Sequence, residues 1–273
     1  MSPPYALAQL TALHHNPAQI VDLAARTGYD YAGVRLLPVA PGALAYPLMD
    51  QPRLLAETLL RMDDTGVGIY DLELIRLGPT FRAEDYLPFF EVGARLKARA
   101  VLVAGDDPQF SRLVDHYAQL CDAMQPYGLS ADLEFMPWTQ VPDLASALRV
   151  VGQADRPNGG ILLDALHFDR SDSRLDDLAS IPQQWLHYAQ ICDGPAARPT
   201  TVEGLIHAAR CERLLPGEGA IALQDIWQRL PAHLPVSVEI PHDERVAKVG
   251  AEHWARSALV AAKTLLGHSV RID

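Results

Sequence analysis

The chain has 273 residues, 49% of them apolar, which allows one large core and is close to the size of a (β/α)8 barrel, typically about 250 residues. Its formal net charge of −11 disfavours nucleic acid as a partner, because phosphate contacts need clustered Lys and Arg. Lys263 interrupts the most apolar stretch, Ala258 to Leu266, so nothing approaches the roughly 20 residues of a membrane span and no membrane is expected as a partner.

Strand-like and helix-like segments alternate along the chain. Tyr5–Leu10 reads as a first strand; Asn16 then caps a helix with Ile20, Val21, Leu23 and Ala24 on one face, stopped by Gly28. Tyr31–Leu37 is a second strand, Leu54–Met62 a helix ended by Gly66, and Val67–Leu77 holds a third strand. A helix over Tyr86–Leu96, a strand over Ala100–Ala104 and a helix over Ser111–Met124 follow. Strand five is Ser130–Met136 and its helix Val141–Gly152; strand six is Gly160–Leu166, with a shorter helix within Leu175–Ala179. Strand seven is Trp185–Ile191, strand eight Val236–Ile240, and a last helix runs from Val246 to Leu266. Eight β-then-α units without a composition break predict an α/β fold, a (β/α)8 TIM barrel, as a single domain over 1–273. An open doubly wound sheet is the alternative, weakened because no Gly-x-Gly-x-x-Gly follows the first strand.

Four late strands end on a residue able to bind a metal: Glu134, Asp164, Gln190 and Glu239. A carboxylate at the end of a buried strand is costly unless something pairs it, and convergence on one dication would resolve the cost. Glu134 to Asp164 is 30 residues and Asp164 to Gln190 is 26, each about one βα unit. Gln190 to Glu239 is 49, leaving an insertion from Gly194 to Gly219 after strand seven, with Leu205–Arg213 helical. A loop after a strand belongs at the C-terminal face of a barrel, where barrel active sites lie. Three carboxylates and an amide oxygen form a hard site that suits one divalent ion, Mg²⁺ or Mn²⁺, better than zinc.

The expected chemistry is proton abstraction next to a carbonyl of a small polyol or keto substrate, with Glu134 and Glu239 as base and acid on opposite sides. His167, three residues beyond Asp164, is a further acid or base and substrate contact; Arg210 and Arg213 could clamp a carboxylate or phosphate, and Arg35 is a weaker candidate. Trp138 and Phe168 could form apolar walls, while Glu218 reads as a turn residue. Cys121, Cys192 and Cys211 are odd in number and form no CxxC pair, and the start has no secretory pattern, so a cytoplasmic protein without disulfides is expected. A homo-oligomer is compatible with the sequence.

Leu163-Asp164-Ala165-Leu166-His167 and Pro216-Gly217-Glu218-Gly219 with Val238-Glu239 resemble the xylose-isomerase-like sugar phosphate isomerase/epimerase superfamily. That resemblance implies a TIM barrel with Glu134, Asp164, Gln190 and Glu239 as ligands, and His167 and Arg210 in contact with substrate. Most members carry His where this chain has Gln190; a Gln there resembles the bacterial 3-dehydroshikimate dehydratase branch. Isomerisation, epimerisation and dehydration therefore stay open. A metal-dependent endonuclease of the same barrel type, or a binding protein without catalysis, is the more distant alternative.

Overall fold

The structure, a computed structural model describing residues 2–269, is a closed barrel of eight parallel strands in sequence order. In chain order the elements are β1 (Tyr5–Leu7), α1 (Pro17–Thr27), β2 (Tyr31–Arg35), α2 (Pro52–Thr65), β3 (Gly68–Leu77), α3 (Leu87–Arg95), β4 (Ala100–Gly105), α4 (Phe110–Met124), β5 (Ser130–Glu134), α5 (Leu144–Ala154), β6 (Gly159–Asp164), α6 (Ala165–Arg170), β7 (Ala189–Ile191), α7 (Val202–Cys211), α8 (Leu223–Trp227), β8 (Val236–Val238), α9 (Asp243–Val249) and α10 (Ala251–Leu265). Closure comes from β1 pairing with both β2 and β8.

Local signals explain most boundaries. Asn16 and Gln19 form a capping box at the start of α1, and Gly28 ends the helix at φ +88°, a conformation that favours glycine. Several boundaries differ from the sequence reading: strands one, five and eight end earlier, at Leu7, Glu134 and Val238, the segment within Leu175–Ala179 is a 3₁₀ turn, and three further differences have a clear local cause. Strand six stops at Asp164, not Leu166, because the Asp164 side chain accepts the His167 N–H at 2.9 Å and starts α6 there. The stretch before β7 is a 3₁₀ turn over Gln183–Trp185, closed by a Trp185 N–H bond to the Pro182 carbonyl, so β7 begins only at Ala189. The last helix is split into α9 and α10 at Gly250, which has φ +82°.

Alternation along the strands decides which side chains see the barrel axis. Val101 and Val103 of β4 pack outward with the helices, whereas Ala100, Leu102 and Ala104 share a smaller inner cluster with Tyr70, Leu162 and Tyr188. On β5 to β8, Leu133, Ile161, Leu163, Ile191, Val236 and Val238 belong to the outer core. Their neighbours Asp132, Glu134, Asp164, Gln190, Ser237 and Glu239 therefore face inward, and all are buried. The outer face of the strands is thus apolar, whereas the inner face mixes a small apolar cluster with much of the buried charge.

Candidate functional site

Glu134 ends β5, Asp164 ends β6, Gln190 lies in β7, and Glu239 follows β8, its backbone N–H bonded to the Ile191 carbonyl at 3.2 Å. In the β6–β7 register Asp164 stands beside Gln190, while Glu134 stands beside Leu162. All four lie at the C-terminal end of the barrel. One oxygen each from Glu134 and Asp164 and one ring nitrogen of His167 lie within 4.8 Å of one another, a spacing that fits a shared metal ion. His167 does not directly follow a strand, as it would if strand six ran to Leu166. It sits in the first turn of α6, and the Asp-x-x-His spacing arises because Asp164 is the N-cap and His167 the residue whose N–H it accepts. The ring Nε2 of His167 is 3.6 Å from Glu134 Oε1, and the ring makes a T-shaped contact with Trp138 at 5.0 Å between centroids.

Arg213 has a role that sequence reasoning missed. It is 2% exposed, and its guanidinium spans two of the candidate ligands, 2.5 Å from Asp164 Oδ2 and 2.8 Å from Glu239 Oε2. It also donates to the carbonyls of Ala209 and Glu239. With its donors engaged in this way, Arg213 orients the carboxylates of two candidate ligands and is not a free clamp for substrate. Its place three residues before the Pro216-Gly217 turn does not announce this role, because the tie from that turn back to the end of β7 is made only in three dimensions. The Asp193 carboxylate accepts the N–H groups of Gly217 and Gly219 at 2.9 and 3.0 Å, which fixes the loop that carries Arg213.

Arginines also ring the cavity at the mouth. Arg35 pairs with buried Glu73 at 2.5 Å, and Arg76 pairs with Asp106. Arg210, in the last turn of α7, has no carboxylate within 4.0 Å among the described residues, and is the one cation of this ring left free for a ligand. Arg35, Arg76, Trp138, His167, Arg210 and Glu239 line the same cavity. Burial and the Arg210 charge both lower the Arg76 pKa, and burial and Arg35 lower that of Arg210, so the three guanidinium groups feel one another. Phe168 is packed in the core and does not wall the site, and Glu218 pairs with Arg245 at the surface. His14 and His15 line an adjoining groove with His242, which shares Leu10 and Arg210 with the mouth cavity. Larger cavities exist, including one of about 610 Å³ between the N-terminal ends of β1 to β4, but none gathers inward carboxylates as the mouth does.

The electrostatics ask for more positive charge. Burial raises the Glu134 carboxyl well above its usual range, reinforced by Asp164 and Glu239; burial takes Glu239 to about 7 despite Arg213. Burial works against ionisation of Asp164 as well, yet the Arg213 and His167 contacts leave its pKa below the usual value. His167 is pushed down to about 4, chiefly by burial, and is neutral at pH 7. Both amide atoms of Gln190 and Nδ1 of His167 are buried without a hydrogen-bond partner. Orphaned oxygen and nitrogen atoms beside under-neutralised carboxylates fit a divalent cation. A metal must displace protons from raised carboxylates, so its apparent affinity should fall as pH drops below about 7, where Glu239 holds a proton. Titration calorimetry with Mn²⁺ between pH 8 and pH 6 should show a loss approaching about tenfold per pH unit at the acid end, and a flat profile would contradict this charge distribution.

A model of the family described as xylose isomerase-like TIM barrel matches residues 21–259. Among curated proteins the chain is similar to inosose isomerase of Bacillus subtilis (strain 168), 29% identical over 136 residues, covering 49% of this chain and 44% of that protein. It is also similar to 3-dehydroshikimate dehydratase of Pseudomonas aeruginosa, 27% identical over 135 residues, covering 48% of this chain and 21% of that protein. These matches span less than half the length of either relative. Among solved structures, the IOLI protein with a binding zinc atom superposes with a TM-score of 0.79 at 21% identity, covering 97% of this chain and 98% of that one. A probable 3-DHS dehydratase, AsbF from Bacillus anthracis, gives 0.71 at 17% identity, with 95% and 98% covered. At these identities the solved structures support the fold.

Proposed function

The chain belongs to the xylose isomerase-like TIM barrel family, and we propose that it is a divalent-metal-dependent enzyme that removes a proton next to a carbonyl of a small polyhydroxylated keto substrate. We read residues 1–273 as one such domain. The carrying observation is the inward set Glu134, Asp164, Gln190 and Glu239, with the orphaned Gln190 amide and, among the described residues, Arg213 as the one arginine in salt-bridge contact with these carboxylates. These four residues would hold Mg²⁺ or Mn²⁺. When bound, the ion supplies Lewis-acid polarisation of a substrate carbonyl.

The remaining work falls to side chains. For isomerisation or epimerisation, Glu134 and Glu239 come from different sides of the mouth and serve as base and acid. Burial raises the proton affinity of both, and for Glu239, at about 7, this suits a group that must take and return a proton near neutral pH. For dehydration, neutral His167 takes the α-proton at Nε2 and passes it to the departing β-hydroxyl, giving a conjugated enone and water. Glu134, 3.6 Å away, stabilises the transient imidazolium. Trp138 holds the imidazole in place and keeps water from that face.

One observation favours the dehydration reading, with 3-dehydroshikimate as its substrate. The three guanidinium groups of Arg35, Arg76 and Arg210 face one cavity, and Arg210 is without a carboxylate partner, which suits an anionic substrate better than a neutral polyol. Arg210→Ala should then raise KM by at least about tenfold with a smaller change in kcat. A fall in kcat at constant KM would move Arg210 out of the anchoring role. Incubation with 3-dehydroshikimate and Mn²⁺ should produce the absorbance of a conjugated product, lost with chelator and regained with added Mn²⁺ or Mg²⁺. Turnover of keto-polyols with wash-in of deuterium from solvent, and none of 3-dehydroshikimate, would instead establish the isomerase or epimerase reading. Turnover of neither substrate class, with chelator-insensitive folding, would overturn the proposal.

A further inference from the structure

The end of the barrel opposite the mouth carries a cleft of about 380 Å³, formed where β3, β4, β5, β7 and β8 begin. Arg99, His187 and His233 line it, and among the described residues no Asp or Glu does. That is unexpected in a chain with a formal charge of −11, whose acidic side chains outnumber its basic ones by 34 to 23.

Two of these three side chains are held in place. The Arg99 guanidinium donates to the Tyr31 hydroxyl at 2.7 Å and lies 5.0 Å from the Tyr31 ring centroid and 5.7 Å from that of Tyr70. No carboxylate lies within 4.0 Å of it among the described residues. His187 is fixed from inside the barrel: its Nδ1 is 2.7 Å from Asp132, which is fully buried, and the second Asp132 oxygen accepts from Ser130 at 2.6 Å. Gly160 makes room for this pair. A Cβ there would stand 2.6 Å from His187 Nδ1 and 2.7 Å from Asp132 Oδ1. Burial works against the charged form of His187, but the Asp132 contact outweighs it and raises the pKa, and the side chain remains about one-quarter exposed.

We propose that this cleft is a second ligand site, distinct from the mouth, which binds a small oxyanion such as a phosphate or carboxylate group. A guanidinium already stacked on two tyrosines and an imidazole already paired lose little freedom on binding, and both are donors matched to oxyanion oxygens. The cleft lies across the barrel from the candidate metal centre, so the ligand is an effector or a second anionic group and not the reacting molecule. Phosphate and carboxylate sources share this chemistry and differ in geometry and charge.

Titration calorimetry with inorganic phosphate, and separately with citrate, tests the proposal on the wild-type chain and on Arg99→Ala, His233→Ala and Arg210→Ala. We expect saturable binding of at least one of the two anions, at least tenfold weaker in Arg99→Ala and in His233→Ala. Arg210→Ala, at the opposite end, should retain wild-type affinity for this site. Preference for phosphate or for citrate identifies the class. Thermal melts of each variant separate lost binding from lost folding, since Arg99 and His233 are exposed and neither substitution should alter the unfolding transition by more than a few degrees. No saturable binding of either anion, or binding that survives Arg99→Ala and His233→Ala but disappears in Arg210→Ala, would overturn the proposal. Because the readout is binding at the far end, its failure leaves the reading of the mouth untouched.

Discussion

Glu239→Gln should fold as the wild type does and lower kcat/KM by about 10³- to 10⁴-fold on whichever keto substrate is turned over, the size of effect expected of a lost acid–base group. Its metal affinity should fall as well, since an amide replaces one of three carboxylates. The substitution is nearly isosteric. Glu239 is buried and its Oε2 accepts from Arg213, a bond that the amide oxygen of glutamine can still make. Glu134→Gln should give a similar loss for a related reason, because Glu134 faces His167 at 3.6 Å and feels Asp164 and Glu239. Steady-state kinetics with metal-content measurements check both. Wild-type activity in the two variants would end the assignment of these carboxylates, whatever the barrel looks like.

The second large effect concerns stability. Arg213→Met should destabilise the metal-free protein by about 3–5 kcal/mol, the usual cost of removing one partner of a buried ion pair. Here a single guanidinium serves two buried carboxylates, Asp164 and Glu239, and is itself almost fully enclosed. A dication held, as proposed, by Glu134, Asp164, Gln190 and Glu239 would neutralise the same two groups. Saturating Mn²⁺ should therefore recover part of the loss in Arg213→Met and stabilise the variant by more than it stabilises the wild type. Denaturant unfolding with chelator and with Mn²⁺ gives the four free energies required. An equal loss in both conditions would mean that Arg213 contributes packing alone and is not coupled to the ligand carboxylates.

The barrel was legible because its outer core is written in simple alternation and punctuation. Gly28 and Gly66 end helices as read, and Asn16 caps α1. The inward direction of Glu134, Asp164, Gln190 and Glu239 follows from the parity of Leu133, Leu163, Ile191 and Val238, which the sequence displays. What could not be read are contacts between residues far apart in the chain. Arg213 looks like an ordinary helix-end charge until Asp193 ties its loop to β7. Asp132 sits inside a run that looks apolar, and its partner His187 is 55 residues away. The Arg35–Glu73 pair joins two strands whose register shifts between Ala32 and Val34, a shift that no local pattern announces. His167 was found through its spacing from Asp164, but its place in a helix depended on Asp164 acting as a cap.

The oxygen-rich mouth is the claim on which the functional reading rests, and a Mn²⁺-soaked crystal tests it most directly. An anomalous difference map should show one dominant peak within coordination distance of Glu134, Asp164, Gln190 and Glu239, with Arg213 still contacting Asp164 and Glu239 from behind. A fully loaded crystal whose peak lies elsewhere, or is coordinated by none of these four residues, would contradict the account.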